Sequence, residues 1–272
     1  MLEIRDKDSD AVLLRSPANR LSGADLVRAA LPGADFAGAD LRNADLSGAN
    51  LSRARLAGAD LRGARLEAAD LSGADCSGAD FRDAHLSGAR FVTATLVATR
   101  LTRADCVRAS FELALLRETI FEGAALAHAD LTRANISGSD FSAADLSGAT
   151  LSHSVWRLST LAHAILVSAV LDGIDLGGAD LRQADFTRAF LAEAVLEGAD
   201  LSGALLNRTV FANCEDLGLA HGLQAIVHRG PSCLDLATLR AGLRMLPEEF
   251  LRGAGVTLEE IEALRGASRP QP

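Results

Sequence analysis

The sequence predicts an all-β solenoid, and three regularities point to it. From Leu21 to Phe211 the chain repeats every five residues without a frame slip, giving about 39 consecutive pentads. Taking Leu21, Leu26, Leu31 and so on as centres, about 27 are Leu and eight are Phe, the rest being Cys76, Cys106, Ile136 and Trp156. Two residues before each centre stands Ala in about 31 pentads, with Thr, Ser, Ile174 and Asn19 as the exceptions, and the residue just before the centre is most often Asp. The motif reads A-D-L-x-x. A helix wants apolar residues every 3.6 positions and a strand every second one, so neither explains two inward positions in five. A chain that turns a corner every five residues does. Gly two places after the centre, as at Gly23, Gly33, Gly38, Gly48, Gly58 and Gly63, suits a corner that needs positive φ.

These in-frame copies closely resemble those of pentapeptide repeat proteins, and the match covers about 70 % of the chain. The resemblance implies a right-handed quadrilateral parallel β-helix with four pentads per coil and about ten coils. At roughly 4.8 Å per coil the rod would be about 45 to 50 Å long. It also implies a packed axis in which each centre stacks on the residue twenty positions away, with no internal cavity for a substrate.

The elements follow in order. Residues 1–18 lack the period, and Val12, Leu13 and Leu14 would cover the first coil, because an open β-helix end exposes unpaired backbone. Residues 19–213 form the solenoid. Thr93 to Glu118 lacks corner glycines and carries Leu113, Leu115 and Ile120, marking a kink or a recognition spot. Residues 214–266 read as an α-helical cap or dimerisation segment: Ser232 with Asp235 and Thr257 with Glu260 resemble capping boxes, Pro247 suits a helix start and Gly266 a helix stop. Residues 267–272 read as a disordered tail. The stretch from Gly230 to Val256 is similar to tails of bacterial pentapeptide repeat proteins, some of them fused to TIR-type defence domains.

Composition sets limits. With 272 residues, a net charge of −9, no Tyr and Lys7 as the single lysine, the chain reads as a soluble acidic protein. Its start lacks the basic and apolar regions of a signal peptide, and no apolar run approaches membrane-spanning length, so the expectation is a cytoplasmic protein with no membrane partner. Cys76 and Cys106 sit at interior centres on different faces and read as small core residues. Basic patches interleaved with aromatics are absent, which argues against direct nucleic-acid binding.

Function is therefore expected on the outside of the rod. Members of the resembled family include acidic DNA mimics that bind DNA gyrase or topoisomerase IV and protect them from quinolone-like poisons. The column Asp40, Asp60, Asp80, Asp140, Asp180 and Asp200, stepping by multiples of twenty, is the candidate acidic face for such a partner. Arg42, Arg62, Arg82 and Arg182 stand two residues after four of these. Over residues 19–213 about 24 acids face about 18 Arg, well below the roughly two charges per 3.4 Å of duplex DNA. Two readings stand: mimicry on some faces, or Asp residues that bond local backbone and Arg to solubilise the helix.

The second surface is apolar. Val155, Ile165, Val170, Phe190, Val195, Leu205 and Val210 occupy the outward position where Asp is usual, and Val170, Phe190 and Val210 should form one stripe. It is either covered by the C-terminal helices or a homodimer contact. Cys214, His221, His228 and Cys233 lack the close spacing of a zinc site, and His153 and His163 fall on opposite walls. No catalytic residues, cofactor or metal are expected. The reading is a non-enzymatic protein-binding rod, specifically a type II topoisomerase partner, or alternatively an interaction scaffold linked to bacterial defence signalling.

Overall fold

The computed structural model describes residues 2–16 and 20–267. Parallel bridges join each pre-centre residue to the one twenty positions on, from Asp25↔Asp45 through Asp185↔Leu205, so four pentads make one coil of a four-walled β-helix. The four walls are named here by their columns: the first carries Asp40, the second Asp45, the third Asn50 and the fourth Arg55.

One pentad shows how the backbone is satisfied. Leu61 donates its N–H to the Asp80 carbonyl (2.8 Å), Gly63 to Arg82 (3.1 Å), Asp60 back to Ala39 (2.9 Å), and Ala64 closes the corner onto Leu61 (3.0 Å). The remaining donor, the Arg62 N–H, goes to Asp60 Oδ1 at 3.3 Å. The same bond recurs from Ser47 to Asp45 and from Ser72 to Asp70, both at 3.0 Å. These are Asx turns, and they explain why Asp or Asn precedes the centre: its oxygen accepts the one N–H that the β-helix leaves unused.

Every corner from Gly23 to Asn213 has positive φ, between 51° and 71°. Gly fills some of them, but Arg28, Asn43, Arg53, Leu113 and others hold the same conformation. An L side chain pays about 1 to 2 kcal/mol there. Thr93 to Glu118 is therefore no kink: φ at Thr93, Ala98, Arg103, Arg108, Leu113 and Glu118 stays between 55° and 58°, and the bridges continue unbroken. Stacking imposes the corner even where the residue resists it.

Centres and the small residues before them fill the axis. An aromatic run crosses between the first and third walls through Phe81, Phe91, Phe111, Phe121 and Phe141 and ends at Trp156 on the fourth, with centroids 4.5 to 6.0 Å apart. The hydroxyls that replace Ala are paired inside: Thr99 donates to the Cys76 carbonyl (2.8 Å), Ser159 to Ile136 (2.9 Å) and Thr209 to Phe186 (2.8 Å). Cys76 and Cys106 are buried free thiols whose pKa burial pushes up.

Both ends are occupied. Strands β1 (Leu2–Arg5) and β2 (Val12–Ser16) form an antiparallel hairpin. It docks through Asp35 N–H to the Arg5 carbonyl (2.8 Å) and Lys7 N–H to Gly33 (2.9 Å), with Ile4 buried and Leu13 and Leu14 packed beside it. Near the other end the rungs lengthen into β3 (Phe190–Ala192), β4 (Leu205–Leu206) and β5 (Val210–Ala212), extended by β6 (Val227–His228) on the second wall and β7 (Cys233–Leu234) on the third. Helices α1 (Leu236–Gly242), α2 (Glu248–Gly253) and α3 (Leu258–Ala267) follow. Phe250 of α2 meets the last centre, Phe211, at 6.4 Å, and Leu251 and Ile261 are buried.

Two cap expectations change. Asp235, not Ser232, caps α1 by accepting the Thr238 N–H at 2.8 Å, because Cys233 and Leu234 continue the sheet and delay the helix. Helix α3 runs through Gly266 to Ala267, since a glycine in a last turn costs little. The Thr257–Glu260 box forms in both directions, at 2.8 and 3.3 Å. The expected tail lies, from residue 268, outside the described residues.

Two measurements test the packing. Leu61→Asp places a carboxylate among buried neighbours and should cost several kcal/mol, whereas Ser52→Asp on an outer corner should be near neutral; equal thermal shifts would contradict the register. Ala98→Gly should raise stability by about 0.5 kcal/mol, since it relieves a left-handed alanine at some entropic cost. Denaturant melts would show it, and destabilisation would refute corner strain.

Candidate functional site

The first wall carries the ladder Asp40, Asp60, Asp80, Arg100, Ile120, Asp140, Thr160, Asp180 and Asp200 on successive coils. The six expected carboxylates share this wall, but Arg100, Ile120 and Thr160 interrupt them, and four are already engaged. Arg42 grips Asp40 with a fork, Nε to Oδ1 at 2.8 Å and Nη2 to Oδ2 at 2.7 Å, and also lies 3.7 Å from Asp60. Arg62, Arg82 and Arg182 hold Asp60, Asp80 and Asp180 in the same way. The Arg42 hydrogen bonds bring the Asp40 carboxyl down from 3.8 to about 2. Asp60 and Asp180 are lowered chiefly by Arg62 and Arg182. At Asp80 partial burial pushes upward, and the bonds from Arg82 outweigh it.

Asp140 and Asp200 differ. Each accepts the N–H two residues on, from Ser142 at 2.8 Å and Ser202 at 2.9 Å, and neither has an ion pair among the described residues. The neighbouring second wall, which the sequence reading passed over, carries Asp105, Asp145 and Asp185. They accept the N–H groups of Val107, Ser147 and Thr187 at 3.2, 2.9 and 2.8 Å, and no cation pairs with them among the described residues. The signal was present in the sequence as Asp at steps of forty without Arg two positions later. An Asx bond uses one oxygen and leaves the charge intact, so Asp105, Asp140, Asp145 and Asp185 keep their charge, with Asp200 beside Arg182, as do Asp25 on the second wall and Asp70 and Asp130 on the third, which likewise have no ion pair among the described residues.

The apolar residues do not form one patch. Val170, Phe190 and Val210 stack on the third wall and continue to Cys233. Val155 and Val195 belong to the fourth wall, with Asp175 between them; Ile165 and Leu205 belong to the second, with Asp185 between them. The C-terminal helices leave most of the stripe open: Val170 and Phe190 remain 37 % and 40 % exposed, while Val210 is half-buried, because β7 extends the third wall beyond it. Cys214 is buried with its thiol pushed up to about 11 by burial, while Cys233 is exposed. Among the described residues no helix is long and apolar enough to cross a membrane.

A four-walled helix whose axis is filled by stacked pentad centres defines a repeat-built solenoid. The chain belongs to the pentapeptide repeat family, whose repeat model matches residues 20–58, 49–88, 59–97, 79–117, 94–133, 109–148, 139–178 and 174–213. No catalytic family is indicated. Among solved structures it is similar to HetL, a pentapeptide repeat protein involved in heterocyst differentiation regulation from the cyanobacterium Nostoc sp. strain PCC 7120, at 29 % identity over 69 % of this chain and 87 % of that one, with a TM-score of 0.39. It is also similar to a trypsin-treated variant of QnrB1, a plasmid-mediated fluoroquinolone resistance protein, at 19 % identity over 72 % of this chain and 91 % of that one, with a TM-score of 0.50. That likeness shows the fold. No curated protein sequence matches the chain.

The paired Asp ladder has a pH signature. Because the folded pKa of Asp40 is depressed, its pairing stabilises the rod above pH 3.8 and that stability is lost as pH falls through about 2. Arg42→Gln should remove part of the acid limb of a melting-temperature profile, most visibly at low salt because the pair is exposed. An unchanged limb would show that the ladder is not coupled to folding.

Proposed function

We propose that the chain is a right-handed, cytoplasmic rod of about ten coils that binds another protein without catalysis, and that its partner is a type II topoisomerase. The supporting observation is the set of unneutralised carboxylates on two adjoining walls, Asp140 and Asp200 beside Asp105, Asp145 and Asp185. A rod with such rows presents negative charge at regular steps to a basic DNA-binding saddle. Asp40, Asp60, Asp80 and Asp180 extend the same face, yet their Arg partners would have to turn outward before these carboxylates met a cation. The contact therefore centres on the coils from Asp105 to Asp200.

The apolar stripe favours a second protein contact, a homodimer, and with it the alternative of an interaction scaffold. The two surfaces lie on different walls and can act together.

Replacing Asp105, Asp140, Asp145, Asp185 and Asp200 by Asn keeps the acceptor for each backbone N–H while removing the charge. The quintuple variant should stay folded by circular dichroism and lose inhibition of gyrase supercoiling, or protection from a quinolone-like poison. Binding of the native rod should weaken steeply between about 50 and 200 mM salt. Native protein with no effect on gyrase or topoisomerase IV, or binding indifferent to salt, would remove this reading and leave the scaffold.

A further inference from the structure

We infer that the third wall joins two copies of this chain side by side and parallel, with the two-fold axis running along the rods. The inference deepens the homodimer contact proposed above and does not depend on the topoisomerase reading.

The wall is costly to leave bare. Where Val170 stands in place of Asp, the Asp172 N–H loses its Asx acceptor and an apolar side chain meets solvent. Phe190 replaces Asp on the next coil and half-buried Val210 on the one after, and exposed Cys233, paired with Val210, prolongs the strip.

Charge at the corners decides the occupant and its orientation. On the corner that precedes the strip, Arg188 and Arg208 are exposed and form no ion pair among the described residues. Arg229, next to the His228 that pairs with Leu206, continues this row. The corner that follows carries Asp172, 3.9 Å from His153, and exposed Glu193, which shares a rung with Arg188. One edge is cationic and the other anionic. A two-fold along the rod axis lays the cationic edge of one copy on the anionic edge of the other, so that Arg188 meets Glu193 twice at equal height. A two-fold across the rods would oppose like edges, Arg to Arg. Self-complementarity of this kind is what an isologous interface requires.

The same symmetry bounds the contact. Below Thr150 the column holds Asp130, Arg90 and Asp70, which a parallel pair would set against their own copies. Contact is thus confined to the C-terminal rungs, Val170 onward, and the two helical caps lie side by side.

Sedimentation of the native chain over a concentration series should show a monomer–dimer equilibrium. Arg188→Glu should weaken it about tenfold, and adding Glu193→Arg should restore it. Orientation is read by cross-linking in a Cys233→Ser background, where Cys76, Cys106 and Cys214 are buried. Val170→Cys and Val210→Cys, each alone, should be linked to itself by a short bis-maleimide. If only a mixture of the two variants links, the rods are antiparallel and the inference falls while the homodimer stands. If the native chain stays monomeric throughout, both fall, and the topoisomerase reading is untouched.

Discussion

The rest of the structure depends on the corner. Every five residues the chain turns a corner through a left-handed residue, closed by one backbone bond and, at most corners, by an Asx bond from the residue before the centre. Repeating that corner four times returns the chain above itself after twenty residues, so each centre stacks on its own kind and each outward residue joins a vertical column. Arg28, Leu113 and Glu193 hold positive φ without being glycine. They can do so because the ladders on both sides leave no other path, and strain of this size is small beside the burial of a centre.

Period carried most of the fold in the sequence. Leu21 to Phe211 declared the inward positions, and the twenty-residue step placed Asp40 over Asp60 and Val170 over Phe190. Local features outside the repeat were less legible. Ser232 looked like a helix cap, yet pairing of Cys233 with Val210 extended the sheet and moved the cap to Asp235, a long-range effect that no local pattern encodes. Missing glycines near Leu113 suggested a kink because glycine is cheap at positive φ, but tertiary stacking overrode the preference.

Surface charge was the harder reading, since the sequence gives identity and not availability. Asp40 and Asp140 share a column and a composition, but Arg42 consumes the first while Ser142 merely bonds the second. Asp145 and Asp185, overlooked beside the longer Asp40 column, keep their charge because nothing cationic follows them two residues later. The Asx bond belongs to the fold, and the residual charge carries the proposed contact. Where Val170 and Phe190 stand instead of Asp, the wall is exposed and apolar, which is the basis of the proposed second contact.

The most direct measurement is carbodiimide labelling of carboxylates, read residue by residue by mass spectrometry, on the rod alone and with a purified type II topoisomerase. The account predicts that Asp105, Asp140, Asp145, Asp185 and Asp200 label readily in the free rod and become protected in the complex, while Asp40, Asp60 and Asp80, held by their arginines, change little. Protection centred on Asp40, Asp60 and Asp80 instead, or at no carboxylate, would contradict it.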